Sequence, residues 1–280
     1  MNNVFDTADP RPILVIGSTG KTGRRVAERL DALGATVRHG SRSAPIPFDW
    51  ADPQTWAPAL AGVRAAYIAF HPDLATPGAV VAITELTTLA KTAGVRHLVL
   101  LSGRGEDEAQ QAEEIVRTWG LRWTIVRAAW FAQNFTEGNF ADDVAAGVVA
   151  LPVGDVLEPF VDADDIADVA AAALTDDRHL GQVYEMTGPR LLTFADAVAT
   201  LGVETGRDVR FVSVSMDDYA ATLAEYQVPS EVVELLRYLF TSVLDGRNAS
   251  VADGVQRALG RPPRDFTDFA CDIAPALGRR

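Results

Sequence analysis

Residues 13–30 read ILVIGSTGKTGRRVAERL. Four apolar residues lead into a turn carrying Gly17, Gly20 and Gly23, and an amphipathic segment follows directly. A short continuous apolar run is the pattern of a buried parallel strand, and ILVI has it. Val26, Leu30 and Leu33 recur at helical spacing and predict one apolar helix face, stopped at Gly34. The turn between strand and helix is G-x-x-G-x-x-G. It meets the demands of a dinucleotide-binding turn: one glycine for the tight bend, one for close approach of a pyrophosphate, and one for helix–strand packing. A helix starting near Thr22 aims its free N–H groups and positive dipole end at that phosphate. Gly17, Ser18, Thr19, Gly20, Lys21, Thr22 and Gly23 are therefore candidate cofactor residues. The competing reading is that these glycines answer only to steric needs at a strand-to-helix turn.

Outward from this turn, short β-rich runs at 36–39, 66–70, 97–101 and 123–126 read as further buried strands. Val80, Ile83, Leu86 and Ala90 give a second helix face, ended by Gly94. Such alternation predicts an α/β protein with a doubly wound parallel sheet of the Rossmann type. The stretch 131–160 is loop-like around Gly147, Pro152 and Pro159; DADDIADVAAAAL (162–174) reads as an aspartate-capped helix and QVYEMT (182–187) as another strand. Beyond Gly188-Pro189 the pattern is mainly helical, with candidates at 216–226, 229–244 and 248–259. The expected layout is a dinucleotide-binding core over 1–130, completed by 161–188. Residues 131–160 and 189–280 form a smaller substrate-binding region that is mainly helical.

The end of the second strand addresses cofactor identity. An NAD site would place Asp or Glu about 20 residues beyond the glycines, to accept from the ribose 2′-hydroxyl. No acidic residue occurs from Ala32 to Phe48, and TVRHGSRS (36–43) offers Arg38, His39, Ser41, Arg42 and Ser43. Guanidinium and hydroxyl donors suit a 2′-phosphate, so Ser41, Arg42 and Ser43 favour NADPH, with NADH left open. The alternative is a solvated arginine pair at a strand end. Asp49 and Trp50, closing IPFDW, are candidates for the adenine, with capping of the next helix by Asp49 or Asp52 as the competing role.

Composition narrows the function classes. A formal charge of −13 over 280 residues argues against a broad nucleic-acid surface, which needs clustered Lys and Arg. Residues 1–12 (MNNVFDTADPRP) carry neither a basic start nor an apolar stretch, so a signal peptide is not expected. No apolar run reaches the roughly 18 residues of a membrane span. One cysteine, Cys271, gives no internal disulfide and fits a reducing cytoplasm. His39, His71, His97 and His179 show no metal-ligand spacing, so no metal is expected.

VIGSTGKTG, FDWADPQTW, VRHLVLLSGRG, GLRWTIVRAAWFAQNF, FVDADDIADVAAAAL and GRPPRDFTDFA, taken in order, resemble the NmrA-like, atypical short-chain dehydrogenase/reductase family. The resemblance runs from Ile13 to about Ala270 and is nearest the branch of ergot-alkaloid-type reductases and their bacterial relatives. It implies NAD(P) on the first motif and a C-terminal lobe shaping a substrate cleft. It implies either a reductase of quinones, iminium ions and similar unsaturated groups, or a catalytically silent NADP redox sensor acting through a protein partner. Relatives in bacterial aromatic-polyketide pathways make a polycyclic quinone or hydroquinone a substrate candidate in secondary metabolism, including antibiotic biosynthesis. Assistance to a monooxygenase or dehydration step is a third reading.

Two features depart from familiar reductases. The Tyr-x-x-x-Lys pair of ordinary short-chain dehydrogenases is absent: the two lysines, Lys21 and Lys91, have Gly17 and Thr87 four residues before them. A lysine that many NmrA-like proteins carry is missing from EDEAQQAEE (106–114), which holds only Ala, Gln and acids.

Hydride transfer asks the protein mainly for placement of the reactants. Ligands of doubly wound sheets bind beyond the carboxyl ends of strands. That rule selects Ala69, Phe70, His71 and Pro72, then Ser102, Gly103 and Arg104, then Trp130, Phe131 and Asn134. Ala69, Phe70, His71, Ser102 and Gly103 are expected at the cofactor, with Ser102 and His71 the catalytic candidates. Their competing roles are a capping serine and a loop histidine. Arg104, Trp130, Phe131 and Asn134 are expected at a small, aromatic substrate, against solvated arginine and core aromatic readings. Asp162, Asp164 and Asp165 fit a helix N-terminus better than an acid–base group. SEVVELLRYLF (230–240) packs within its domain by default; a homodimer face is the alternative.

Overall fold

The computed structural model describes residues 9–138 and 140–277; residues 1–8, which include most of the stretch read above for a leader, lie outside them. In chain order the elements are β1 (Ile13–Ile16), α1 (Lys21–Ala32), β2 (Val37–Gly40), α2 (Trp56–Leu60), β3 (Ala65–Ile68), α3 (Ala79–Thr92), β4 (His97–Gly103), α4 (Asp107–Thr118) and β5 (Arg122–Ala128). There follow α5 (Ala141–Ala146), β6 (Val148–Leu151), α6 (Ala163–Thr175), β7 (Gln182–Met186), α7 (Phe194–Thr205), β8 (Arg210–Ser213), α8 (Met216–Glu225), α9 (Ser230–Tyr238), α10 (Gly254–Leu259) and α11 (Phe266–Leu277).

The chain divides into two compact units. The first draws on Met1–Ala128 as far as it is described, with Ala163–Met186 and Asp253–Arg261. Its six strands are all parallel, in the order β2-β1-β3-β4-β5-β7. This is the doubly wound α/β sheet expected from the strand–helix alternation. All four residues of β1 and of β3 are buried. Below one face, Leu14, Ile16, Ala66, Ile68, Leu98 and Leu100 join Ile83, Leu86, Ala90, Ala112 and Val116 in one core.

Several boundaries shift. The strand expected at 66–70 ends at Ile68, leaving Ala69 and Phe70 in the following loop. The strands at 97–101 and 123–126 lengthen to Gly103 and Ala128, pairing Ser102 with Arg127 and Gly103 with Ala128. Each extension begins with a polar residue, Ser102 or Arg127, which is why an apolar pattern stops short of it. Leu33 is not on the buried face of α1: it caps the helix, 63% exposed, just before Gly34 reverses the chain at φ +75°. Asp253–Arg261 was expected in the smaller region, yet α10 packs on β7 and α6 and belongs to the first unit.

The second unit comprises Ala129–Asp162, Thr187–Ala252 and Pro262–Arg280 as far as described. It holds α5, α7, α8, α9, α11 and a two-stranded parallel sheet of β6 and β8. Its core is aromatic: Phe135, Phe140, Phe160, Phe194, Phe240 and Phe266 pack together with ring centroids 5.0–6.4 Å apart. Two helices absent from the expectation, α7 and α11, supply much of it. The start of α7 carries a capping box in which Thr193 and Asp196 satisfy each other's backbone N–H groups. The candidate at 229–244 is α9 continued by a π turn, Leu239–Val243.

Candidate functional site

The glycine turn sits where β1 passes into α1. Gly17 holds φ at +75°, a conformation that favours glycine. Its N–H donates to Gly40 at the end of β2 (2.9 Å), and the Gly20 N–H donates back to the Gly17 carbonyl (2.8 Å). A β-carbon on Gly23 would stand 2.2 Å from that carbonyl oxygen, so Gly23 is what lets α1 close on the turn. Gly20, exposed, is the residue before α1, and no side chain caps the helix there. Nearby, the buried Ser18 hydroxyl has no hydrogen-bond partner among the described residues. An uncapped helix N-terminus, an open glycine and an orphaned buried hydroxyl fit a bound pyrophosphate.

Beyond β2 the two arginines part. Arg38 donates to the carbonyls of Ala59 (2.9 Å) and Ala61 (2.5 Å) and so closes the end of α2. Arg42 is exposed, between Ser41 and Ser43, whose hydroxyls are 3.4 Å apart. Of the two, Arg38 is thus committed to backbone carbonyls while Arg42 lies on an exposed turn. The acidic cluster after it also divides: the Asp52 carboxylate caps the short helical turn at Pro53–Thr55, whereas that of Asp49 accepts from the Ala51 N–H (3.0 Å). Trp50 donates its indole N–H to the Ala69 carbonyl (3.1 Å) and packs on Phe48 and Phe70, at 4.9 and 4.7 Å between ring centres. This fixes the loop after β3, on which His71 is exposed.

At the end of β4, Ser102 is buried and donates its hydroxyl to Glu113 of α4 at 2.6 Å. Arg127 of β5 grips the same carboxylate (2.8 and 2.5 Å) and also Glu185 of β7 (2.8 Å), which Arg104 approaches at 3.3 Å. These ion pairs raise the pKa of the Arg127 guanidinium despite its burial. Ser102 and Arg104 thus sit in a network that ties α4, β4, β5 and β7 together, a use that residue spacing does not disclose.

Two residues at this end of the sheet were not singled out from sequence. Asp73 lies in the loop after β3, and Glu106 precedes α4. The Glu106 carboxyl folds back over Gly103: a β-carbon on that glycine would meet its oxygens at 2.0 and 2.3 Å. Burial, reinforced by Asp73, pushes Glu106 well above the ordinary carboxylate range, and burial raises Asp73 as well. The only signal in the sequence is two acids shortly after strand ends.

In the second unit, Trp130 stacks nearly parallel to Phe140 (4°, 6.4 Å) and meets Phe194 and Phe240 at 5.7 and 5.6 Å. Its indole N–H is buried without a hydrogen-bond partner among the described residues. Phe131 is half-buried and opens the helical turn Ala132–Phe135, and Asn134 is half-buried within that turn. Gln133, not expected at all, donates to Asp162 at 2.6 Å, and Arg264 reaches the same carboxylate at 2.8 Å. In the first unit Asp165 pairs with Arg261 (2.7 Å) and Asp164 with Arg29. Arginines thus hold all three aspartates of DADD. Among the described residues no cluster of three or more His, Cys, Asp or Glu side chains forms a metal site.

A family model described as the NmrA-like family matches residues 10–257. The chain is 31% identical to the NAD(P)H azoreductase of Xenophilus azovorans over 288 residues, covering 95% of this chain and 99% of the relative. It is 33% identical, with the same coverage, to the (4-alkanoyl-5-oxo-2,5-dihydrofuran-3-yl)methyl phosphate reductase of Streptomyces griseus. Among solved structures, the Citrobacter sp. triphenylmethane reductase complexed with NADP(H) superposes with a TM-score of 0.74 at 21% identity, covering 94% of this chain and 99% of that one. That superposition shows a shared fold.

Proposed function

The chain belongs to the NmrA-like family, and on that premise we propose that it is an NADPH-dependent reductase that delivers hydride to a quinone-like, enone or iminium acceptor of aromatic character. The observation that carries this reading is the glycine turn: an uncapped α1 beside Gly20 and the unpartnered Ser18 hydroxyl. Residues 17–23 would hold the pyrophosphate. Ser41, Arg42 and Ser43 would receive a 2′-phosphate, and Asp49 and Trp50 would border the adenine. Ala69, Phe70, His71 and Gly103 lie at the carboxyl ends of β3 and β4 and would border the nicotinamide. The bound cofactor supplies the hydride.

The chain's own contribution is placement and exclusion of water. Trp50 anchors the loop after β3 through the Ala69 carbonyl. The Arg127 network holds the end of β4 rigid through Ser102 and Glu113. We assign Trp130, Phe131 and Asn134 to the acceptor. The relatives named above are an azoreductase and an (oxo-dihydrofuranyl)methyl phosphate reductase, which supports the reductase class while leaving the acceptor to experiment. The single cysteine fits a cytoplasmic setting, and among the described residues no helix is long and apolar enough to cross a membrane.

The direct test is NADPH fluorescence on binding, followed by NADPH consumption with a panel of quinones, enones, cyclic iminium ions and triphenylmethane dyes. Saturable binding with consumption by at least one class supports the reading. Binding without consumption by any of them returns the weight to a redox sensor that acts through a protein partner.

A further inference from the structure

Hydride addition to a neutral quinone or azo group leaves an anion that must collect a proton, whereas a cationic acceptor is complete after hydride alone. The tyrosine that supplies this proton in ordinary short-chain dehydrogenases has no counterpart with its lysine here. Ser102 already donates its proton to Glu113.

Two carboxyls stand where an acid is needed. β3 and β4 are parallel neighbours, with Ala65–Ile68 in register against His97–Leu100. The loops that follow them, bearing Asp73 and Glu106, leave the same carboxyl edge of the sheet, the edge at which such sheets bind ligands. Glu106 is 8% exposed and makes no capping bond to α4, although it occupies the capping position. Its carboxyl takes the space beside Gly103 that any larger residue would fill. The neighbouring charge that acts on it most strongly is the Asp73 carboxyl, itself steadied by the Ala75 N–H at 2.8 Å. Two neighbouring carboxyls favour keeping one proton, because like charges disfavour ionising both. The charges acting on Glu106 are Asp73, from the β3–α3 loop, and Glu108 and Glu113, from α4; Arg127 counters the last. All three acids favour its protonated form, as burial does.

Resting on the reductase reading, we propose that Glu106, backed by Asp73, is the acid that protonates a neutral acceptor as it is reduced. Hydride passes to the acceptor's electrophilic atom as NADPH becomes NADP⁺. The O–H bond of the carboxyl breaks, its proton goes to the acceptor oxygen or nitrogen, and the electron pair stays on the carboxylate. Asp73, only half-buried, then re-supplies the proton from water. Turnover of a neutral acceptor therefore falls as pH rises through the pair's titration, and turnover of a cationic acceptor does not follow that limb.

The test compares wild type, Glu106→Gln and Asp73→Asn with two probes: neutral 1,4-benzoquinone and a cationic triphenylmethane dye. In Glu106→Gln, quinone turnover is expected to fall by at least about 100-fold, the contribution of a general acid, with dye turnover far less affected and NADPH affinity held. Asp73→Asn should move the alkaline limb of the quinone pH profile. In the cofactor-free protein, ¹³C NMR of the carboxyl carbons should show a titration above the ordinary carboxylate range that disappears in Glu106→Gln. Equal loss with both probes makes Glu106 merely structural and overturns the proposal, as does unchanged quinone turnover. A pair already ionised at neutral pH overturns it too. Wild-type protein that binds NADPH and reduces neither these probes nor any other member of the acceptor panel sinks the reductase reading and the role given to Glu106 with it, whatever the carboxyl titration shows.

Discussion

Ser102 donates its hydroxyl proton to Glu113 at 2.6 Å, and Arg127 closes on the same carboxylate at 2.8 and 2.5 Å. The Glu113 side chain is 2% exposed, so its charge depends on these partners. Replacing Arg127 with Met leaves a buried charge uncompensated and should cost about 3–5 kcal/mol of stability. Ser102→Ala keeps the ion pair and should cost about 1.5–3 kcal/mol, the range for one hydrogen bond to a charged group. Urea unfolding of both variants checks the order. A serine variant less stable than the arginine variant would contradict this account of the network.

Gly23 faces the Gly17 carbonyl so closely that a methyl group would overlap backbone, which cannot swing away as a side chain can. Gly23→Ala should therefore push α1 off the turn, lowering stability by roughly 1–3 kcal/mol and weakening NADPH binding with it. Gly34→Ala, where a β-carbon meets nothing within 4 Å, should lose stability through its φ of +75° alone and leave NADPH affinity in place. Paired unfolding and fluorescence titrations separate the two.

Arg42 and Arg38 stand four residues apart and have different tasks. Arg42→Ala should weaken NADPH by roughly 10- to 100-fold while sparing NADH, since a charge-assisted hydrogen bond to phosphate is at stake. Arg38→Ala frees the carbonyls of Ala59 and Ala61 and should lower stability without changing the NADPH-to-NADH ratio. Titration with both cofactors is the measurement; equal loss of the two in Arg42→Ala would remove the 2′-phosphate from this turn.

The same two arginines mark where sequence stops being sufficient. The sheet was legible because each buried parallel strand is an apolar run, as in β1 and β3, and each early helix ends at a glycine such as Gly34 or Gly94. Pattern alone could not say which arginine faces α2 and which the open turn, because that depends on the end of β2 and the path of 41–48. The ends of β4 and β5 were missed because Ser102 and Arg127 pair through buried charge rather than apolar contact. Asp73 and Glu106 belong to separate loops, and only the register of β3 against β4 brings them to one edge. In the second unit β8 (RFVS) is four residues, largely exposed, and writes no apolar run, whereas β6 (VVAL) is an apolar run set within the stretch 131–160 read as loop-like.

His97 opens β4, 2% exposed, with Nε2 bonded to Thr124 at 3.0 Å. Burial, with Arg122 and His179 adding positive charge, lowers its pKa to about 3. The unfolded chain therefore binds a proton near pH 6.5 that the native state refuses, and stability falls as pH drops from there towards 3. At pH 5 the loss from this residue should be about 2 kcal/mol. His97→Gln keeps a neutral donor and lacks the titration, so its stability deficit against wild type should shrink between pH 7 and pH 5. A deficit constant across that window would contradict the assignment.

The central claim is that this NmrA-like chain passes hydride from NADPH to an acceptor. The measurement is incubation with NADPH deuterated at nicotinamide C4 and the acceptor panel, with mass spectrometry of the products. Deuterium bound to carbon in a reduced enone, iminium ion or triphenylmethane dye is the result predicted. NADPH that binds tightly while no product acquires the label would contradict it.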